Sequence, residues 1–394
     1  MKFQHLYAQS LPELVCPATG ESQPEPQIIA LNEDLIAGLG WDVGYFRSDE
    51  GLRFLLGQSG AHAMAYSGHQ FGHFSPVLGD GRALLLGNHR EWELHAKGTG
   101  RTPFSRPGSD GRAGLGPMLK EYIISEALFH LGVPTTRTLA VISTGRTIMR
   151  ERPIPGAVMV RVARSHVRVG TFQYAAMHNQ VRKLADFAIS HLYPGANYQD
   201  FFRQVVAVSV TTVAKWQKLG FIHGVMNTDN TAISGESIDF GPCAFMQTYD
   251  PDTVFSSIDS TGRYRFGQQP HVLGWNLARF IETLLPLLDD DADAAYSIAT
   301  ELATEFPQTM STALAREGVR PVEGDITLAN HRSDPNAPVT VPRNIPVHNA
   351  LKAAENGDLG HFFELLEAVR HPYDFHPELS VPVNDEGFVT FCGT

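Results

Sequence analysis

The spacing of hydrophobic residues changes part-way along the chain, at about residue 168. Before that point, apolar and β-branched runs predict short strands. One segment there, 119–133, carries apolar residues at helical spacing and has Gly132 near its end. This pattern predicts an amphipathic helix. The predicted strands are residues 84–87, 92–97, 139–144 and 157–163, the first two joined as a hairpin by the polar turn 88–91. After that point, apolar residues recur at helical period in segments 181–193, 201–221 and 271–288. A strand-rich first part followed by a helical second part predicts an α+β fold.

Three further segments have weaker patterns. Residues 31–39 carry a short helical pattern, and residues 347–369 are predicted to form a pair of helices. The segment 305–345, which precedes that pair, is polar and contains several prolines, so it is predicted to be rich in loops.

Composition and charge narrow the range of functions. The chain has 394 residues, of which 43% are hydrophobic and 19% charged, as in globular proteins with a substantial core. Its formal net charge of −11 is not that of a nucleic-acid-binding protein, so an anionic ligand would need a local group of Arg and Lys, or a metal ion. No apolar run approaches the length of a membrane span, and the N-terminal residues lack a secretory or transit pattern. These features predict a cytoplasmic protein with neither nucleic acid nor membrane as a partner.

Two features of the strand-rich part are suited to binding phosphate. In LGDGRALLLG (78–87), Gly79 and Gly81 have no Cβ, so their amides can approach a phosphate closely. In isolation, a plain hairpin turn is the simpler explanation of this stretch. Lys97 ends a predicted strand and Glu121 lies on the helix that follows, an arrangement with which kinases hold a lysine on phosphate oxygens. The alternative for Lys97 and Glu121 is two exposed, unrelated charges.

Two features of the helical part complete an order that is found in protein kinases. HGVMNTDN matches the kinase catalytic-loop pattern H-R-D-x-x-x-x-N at its His and at Asn230, but Val225 stands where the catalytic Asp is expected. Asp239, in an Asp-Phe-Gly triplet, follows Asn230 after a segment, 231–238, that fits a short hairpin. An amide oxygen and a carboxylate are ligands suited to Mg²⁺ on phosphates. The four features in this order predict a protein-kinase-like two-lobed fold, with a strand-rich N-lobe and a helical C-lobe.

The predicted fold divides the chain into four parts. They are an N-terminal extension (1–60), a kinase-like N-lobe (61–168), a helical C-lobe (169–340), and a C-terminal helical segment with a tail (341–394).

Histidine and cysteine offer little further chemistry. His69 and His73 in GHQFGHF have the i, i+4 spacing of helical metal ligands, but the glycines around them argue against a helix, so a buried, hydrogen-bonded structural pair is predicted instead of zinc. Cys16, Cys243 and Cys392 are too few and too scattered for a disulfide framework or a zinc site. Cys392, close to the C-terminus, is the one candidate for a redox-active thiol.

Longer motifs resemble the selenoprotein O (SelO) family of protein adenylyltransferases, often called pseudokinases. The matching stretches are YSGHQFG (66–72), LGDGRA (78–83), HAKGTGRTPFSRPGSDGRA (95–113), MVRVARSHVRVGTFQ (159–173), HGVMNTDN (223–230), IDFGP (238–242), RYRFGQQP (263–270) and VPRNIPVHNALKAAENGDL (341–359). Their length and order make the resemblance specific.

The resemblance implies a kinase-like fold in which ATP binds flipped relative to kinases, with the γ-phosphate buried. AMP would then pass to a Ser, Thr or Tyr hydroxyl of a protein substrate. The implied nucleotide-binding residues are Gly79, Gly81 and Arg82, Lys97 with Glu121 behind it, Asp110 and Gly111 on the purine or ribose side, and Arg161 and Arg168 on the buried terminal phosphates. The implied Mg²⁺ ligands are Asn230 and Asp239, and the implied general base is Asp229.

The residue types agree with these roles at two points. Arg161 and Arg168 lie in and just after an apolar strand, where an unpaired guanidinium would be costly. A buried phosphate would satisfy them, and structural salt bridges to carboxylates are the alternative. Asp229, next to Asn230, is well placed to take a proton from a hydroxyl. Attack on a different phosphorus from a different side would explain why the kinase base position can be Val225.

Two other functions fit the same residues. One is transfer of UMP from UTP with Mn²⁺, because the phosphate contacts would be the same. The other is a catalytically silent nucleotide-binding scaffold, which Val225 suggests.

The chain also departs from the family pattern. The stretch 106–113 is one residue longer than usual, Arg164 replaces a small residue or proline, and the region 305–340 is shorter. The loop 248–259 lacks the cysteine that would pair with Cys392, so a regulatory disulfide of the usual kind is not expected.

Overall fold

A computed structural model describes residues 1–391, and an antiparallel sheet dominates its first part. The strands are β1 (Val15–Ala18), β2 (Gln27–Leu31), β3 (Ala61–Met64), β4 (Gly68–Gln70), β5 (His73–Ser75), β6 (Ala83–His89), β7 (Trp92–Lys97), β8 (Ala113–Gly114), β9 (Arg137–Met149), β10 (Pro153–Ala163), β11 (Phe221–Ile222) and β12 (Ala244–Phe245). The large sheet has the order β1-β3-β6-β7-β10-β9-β2, with β8 also paired to β10, whereas β4–β5 and β11–β12 are separate two-stranded pairs.

The four predicted strands form the centre of this sheet as β6, β7, β9 and β10. β6 and β7 form the predicted hairpin, with Leu84 opposite Ala96, and β10 pairs with β7 so that Arg161 lies opposite His95. The edge strands β1 and β2 come from residues 1–60, so the segment predicted as an extension completes the sheet at both ends.

Helices cover the sheet and make up most of the second part. They are α1 (Leu6–Ser10), α2 (Glu33–Gly38), α3 (Val43–Arg47), α4 (Asp49–Leu55), α5 (Leu115–His130), α6 (Val169–Met177), α7 (Val181–Leu192), α8 (Tyr198–Leu219), α9 (Gln269–Leu288), α10 (Ala292–Thr304), α11 (Phe306–Arg316), α12 (Ile326–Ser333), α13 (Asn344–Glu355), α14 (Gly360–Arg370) and α15 (Pro377–Ser380). The helices predicted at 181–193, 201–221 and 271–288 correspond to α7, α8 and α9, and the predicted pair at 347–369 corresponds to α13 and α14. The mixed α and β character, with a sheet-rich first part and a helical second part, is as predicted.

The helix α5 was predicted to be amphipathic, but it is buried on nearly all sides. Tyr122 packs near Phe362 of α14, with ring centroids 6.3 Å apart, while Ile124 and Leu128 join the core of the helical part. The helix therefore lies between two hydrophobic clusters, and polar residues on it, Glu121 among them, are buried. A buried charge needs a partner, and Glu121 has one in Lys97.

One local prediction was correct only in part, and another was wrong. The segment 305–345 contains the helices α11 and α12, and the loops 317–325 and 334–343 make up most of the rest. Pro307 stands in the first turn of α11, where a missing N–H costs nothing, and the Asp325 side chain accepts a hydrogen bond from the Leu328 amide (2.9 Å) to cap α12. The segment 231–238 does not pair with itself as a hairpin; Ala232 instead bridges to Arg168, and the other end of the segment also pairs outside it.

Three hydrophobic clusters fill the fold. One lies between α2–α4 and the sheet, a second joins α5, α13 and α14 to the sheet, and the largest fills the helical part around α6–α9. Among residues 1–391, no helix is long and apolar enough to cross a membrane.

Candidate functional site

A cleft of about 1140 Å³ brings together residues from the sheet, from α5 and from the segment 225–244. The predicted site residues that line it are Gly79, Gly81, Arg82, Lys97, Asp110, Glu121, Arg161, Arg168, Asp229, Asn230 and Asp239. Gly111 is the one predicted residue outside this lining. Basic side chains outnumber acidic ones on the cleft wall, although the chain as a whole is acidic.

The glycine-rich turn before β6 is shaped by a close neighbour. Gly79 has φ of +61°, and a Cβ there would lie 2.3 Å from a ring atom of Phe104. At Gly81 a Cβ would lie 3.2 Å from the Phe104 carbonyl oxygen. Both glycines are therefore needed for this turn to pack against the segment that contains Phe104, and the plain-turn explanation accounts for them without a ligand.

Lys97 and Glu121 are paired in the structure. The Lys97 ammonium contacts a Glu121 carboxylate oxygen and also donates a hydrogen bond to Asp239 Oδ1 at 2.6 Å. All three side chains are mostly buried, so the alternative of two exposed, unrelated charges is wrong.

Asp239 is the carboxylate around which the positively charged side chains of the cleft gather. Its Oδ1 also accepts a hydrogen bond from Arg161 (3.0 Å), and its Oδ2 lies 3.9 Å from the Arg168 guanidinium. Burial alone would raise the pKa of Asp239, but Arg161, Lys97 and Arg168 hold that pKa well below its usual value. Asp239 also has a positive φ of 66°, which is uncommon for a residue with a Cβ. It is therefore a carboxylate held ionised and in a constrained backbone.

The two arginines are nearly inaccessible to solvent and only partly paired. Arg161 Nη2 lies 3.3 Å from His95 Nδ1, and His95 Nε2 lies 2.9 Å from Asp80 Oδ2. Because a carboxylate only accepts, His95 carries its proton on Nε2 and accepts from Arg161 on Nδ1. The Arg168 guanidinium stacks over the Tyr66 ring at 4.4 Å. The Nε atom of each arginine is buried without a hydrogen-bond partner among residues 1–391.

Asp229 and Asn230 line the same cleft. Asp229 is buried, and its Oδ2 accepts a hydrogen bond from Gln70 Nε2 at 3.3 Å. Burial raises the pKa of Asp229 to about 6, against the opposing effect of Arg168. The Asn230 side-chain nitrogen, Nδ2, donates a hydrogen bond to the Val225 carbonyl oxygen (3.0 Å). The Asn230 Oδ1 is then available as an acceptor.

Asp110 and Gly111 lie on the segment between β7 and β8. Both Asp110 carboxylate oxygens accept hydrogen bonds from Arg150, each at 3.0 Å. Gly111 has φ of +69°, and a Cβ there would lie 2.2 Å from the Gly100 backbone. Its role in the structure is to let these two backbone segments approach each other.

The histidine and cysteine predictions have mixed outcomes. His69 and His73 lie on β4 and β5 and not on a helix, but they are not a buried pair. His69 is half-buried and accepts a hydrogen bond from Gln173 (2.8 Å), whereas His73 is exposed. Among the described residues, no group of three or more His, Cys, Asp and Glu side chains could hold a metal ion.

Cys16 and Cys243 are free thiols, and burial raises the pKa of Cys243 to about 11. Cys392 lies outside the described residues.

Several site residues were missed by the sequence reasoning. Tyr66, Gln70, Asp80 and His95 each contact a predicted site residue directly or through one neighbour. The sequence did carry a signal for His95, because a histidine on a strand in the middle of the sheet would be buried and would need a hydrogen-bond partner.

Comparison with known proteins gives a consistent assignment. The family model for protein adenylyltransferase SelO matches residues 2–333. A protein nucleotidyltransferase YdiU from Mycobacterium sp. (strain KMS) is 43% identical, over 98% of this chain and 98% of the relative. The proteins of that name from Mycolicibacterium paratuberculosis and Corynebacterium glutamicum (strain ATCC 13032) are 44% and 43% identical, over 99% and 100% of this chain and 98% and 99% of their own lengths.

These similarities place the chain among the protein nucleotidyltransferases, and so among enzymes. It belongs to the SelO family. The family model ends before α13, but the full-length relatives cover that part as well.

Proposed function

We propose that the protein transfers AMP from ATP to Ser, Thr or Tyr hydroxyls of protein substrates, with Mg²⁺ and in a protein-kinase-like fold. We also propose that ATP lies with its terminal phosphates buried. The lobes would be residues 61–168 and 169–340, with the cleft between them. Family membership supports nucleotidyl transfer in general, and the cleft supports the finer proposal.

The pair of buried arginines carries this proposal. An unpaired guanidinium N–H in a protein interior is costly, and Arg161 and Arg168 each keep a buried Nε without a partner among residues 1–391. They share one carboxylate, Asp239, with Lys97. Lys97 also contacts Glu121, so the three cations face two carboxylates, and the set keeps an excess of one positive charge that favours a triphosphate tail.

Asp229 would act as the general base in this cleft. With a pKa of about 6, it is mostly ionised at neutral pH and can accept a proton. The acceptor hydroxyl would give its proton to Asp229 while its oxygen bonds to the α-phosphorus and the bond to pyrophosphate breaks. Arg161 and Arg168 would hold the departing pyrophosphate and stabilise its charge.

Asn230 and Asp239 would hold Mg²⁺. Their donor atoms, an amide oxygen and an ionised carboxylate, are of the kind that Mg²⁺ prefers, and Mg²⁺ commonly completes its shell with phosphates and water. The bound ion would neutralise charge on the phosphates during transfer. Val225 at the kinase base position is compatible with this scheme, because the base is Asp229.

Labelled ATP tests the proposal directly. The purified protein with Mg²⁺ is incubated with candidate acceptors and either α-labelled or γ-labelled ATP. We expect acceptors, or the enzyme itself, to carry the α-label only, and Asp239→Ala to remove the labelling. Transfer of the γ-label would identify an ordinary kinase and refute the proposal.

UMP transfer with Mn²⁺ is the second candidate function. The relatives are named nucleotidyltransferases without a named nucleotide, and the phosphate contacts of the cleft do not depend on the base. Comparison of α-labelled ATP, GTP, CTP and UTP, each with Mg²⁺ and with Mn²⁺, separates the two. Preferential labelling from UTP would favour this second candidate.

A further inference from the structure

The β4–β5 hairpin is fastened directly to the segment that carries Asp229. The His69 amide donates to Thr228 Oγ1 at 2.7 Å, and the Phe71 amide lies 3.2 Å from Asn227 Oδ1. The hairpin also approaches Asp229 itself, since a Cβ on Gly68 would lie 2.3 Å from Asp229 Oδ1. The hairpin thus forms a wall against the carboxylate that we assign as the general base.

Gln70, on this hairpin, joins Asp229 to Arg106, which lies on the segment between β7 and β8. Its Nε2 donates to Asp229 Oδ2 (3.3 Å), and its Oε1 accepts from Arg106 Nη2 (3.0 Å). A carboxylate can only accept and a guanidinium can only donate, so a single orientation of the Gln70 amide satisfies both neighbours. The charged donor on Oε1 also polarises the amide and makes Nε2 a better donor to Asp229.

We propose that Gln70 is a positioning residue for Asp229 in the transfer reaction, an inference that rests on the proposed function. Gly68 limits where one carboxylate oxygen can lie, and the Gln70 N–H fixes the other. An oxygen that accepts one hydrogen bond retains a second lone pair, so Asp229 Oδ2 can receive the acceptor proton while it is held by Gln70. Rotation of the carboxylate would move that lone pair away from the attacking hydroxyl.

The decisive variant is Gln70→Glu, which keeps the size of the side chain but removes the N–H donor and adds a negative charge beside Asp229. Loss of alignment of about 1 Å can reduce a rate on the order of 100-fold. We expect Gln70→Glu and Gln70→Ala to lower kcat for AMP transfer by about 10- to 100-fold, with KM for ATP and the thermal unfolding temperature close to wild type. Gln308→Glu, the same change on the exposed face of α11, is the matched control and is expected to be neutral.

The outcomes separate this inference from the proposed function. If wild type transfers AMP and Gln70→Glu keeps its kcat within about twofold, the positioning role is refuted, and a packing role alone would give this result. A change confined to KM for ATP would refute it as well, because Gln70 would then act on nucleotide binding. If wild type transfers no AMP at all while it binds ATP, the proposed function fails and this inference fails with it.

Discussion

At the scale of single residues, the site is a set of buried charges that pair with one another only in part. Lys97, Glu121, Arg161 and Asp239 would each be costly to bury alone, and breaking one pair leaves an uncompensated charge. The Asp80–His95 contact extends this set deeper into the sheet. The ion pairs hold these side chains in place, while the buried Nε atoms of Arg161 and Arg168 have no partner among residues 1–391 and can donate to a polyanion.

Glu93 lies at the edge of this set and gives a pH-dependent prediction. Its Oε2 accepts from the His166 amide at 2.7 Å and lies 3.1 Å from His166 Nδ1. Burial, followed by His95 and Arg161, lowers the pKa of His166 well below its usual value, so this contact is not an ion pair near neutral pH. Burial raises the pKa of Glu93 to about 8.

The folded protein therefore holds a proton on Glu93 that the unfolded chain releases at about pH 4.5. This contribution to stability is complete below the unfolded pKa and is lost as the pH rises through 8, with a limiting slope of about 1.4 kcal/mol per pH unit. We expect Glu93→Gln, which is neutral at every pH, to flatten the fall in the free energy of unfolding between pH 5 and pH 9, measured by urea denaturation. Glu91→Gln, at an exposed position, should follow wild type. Parallel curves for Glu93→Gln and wild type would show that Glu93 is ionised in the folded state.

At the scale of elements, the sequence predicted what depends on local patterns. Strands β6 and β10 contain continuous apolar runs because both of their faces are buried, and α7–α9 keep a clear apolar period. In β7, apolar residues alternate with polar ones that are buried as well. Helices α11 and α12 were missed because polar residues and Pro307 dominate the pattern, although proline is tolerated in a first turn. Residues 231–238 were misassigned because they pair with segments distant in sequence.

The candidate site shows the same limit. Most of the site residues named from motifs do line the cleft, but apart from the Lys97–Glu121 pair their partners could not be predicted. Arg161 and Asp239 are 78 positions apart, and Gln70 and Asp229 are 159 apart, so only the folded chain reveals these contacts. The prediction that His69 and His73 form a buried pair was wrong for a related reason. Their spacing in the sequence gives no information on which side of the β4–β5 hairpin faces solvent.

The C-terminal end of α8 gives an element-scale prediction. Gly220 ends the helix with φ of +73°, and a Cβ there would lie 2.8 Å from the Met246 carbonyl oxygen and from Ile326 Cδ1. Gly220→Ala should lower the free energy of unfolding by roughly 1–3 kcal/mol, through left-handed strain and this contact. Gly318 after α11 has a similar φ of +66° but open space, with the nearest atom at 3.8 Å.

Gly318→Ala is therefore the matched control, and it should cost only the strain, about 1 kcal/mol. Urea denaturation of the two variants compares the costs. An equal loss in both would mean that the neighbours of Gly220 move aside without cost.

At the scale of the whole molecule, two electrostatic effects act on an anionic substrate in opposite directions. The net charge of −11 repels ATP from the protein as a whole. The cleft, where basic side chains outnumber acidic ones, attracts it locally. The cleft charges lie within a few ångströms of the bound phosphates, and Coulomb interactions fall with distance and are screened. We therefore expect the local attraction to dominate.

Salt distinguishes the two effects by the sign of its influence on binding. The screening length falls from about 10 Å at 0.1 M salt to about 3 Å at 1 M. If the cleft dominates, raising NaCl should weaken ATP binding by several-fold, as measured by calorimetry with inactive Asp229→Asn protein. Adenosine, which has no phosphate, should bind with little change across the same range. Tighter ATP binding at high salt would mean that screening removes more repulsion than attraction. The overall negative charge would then outweigh the attraction of the cleft, and this result would contradict phosphate binding by the two arginines.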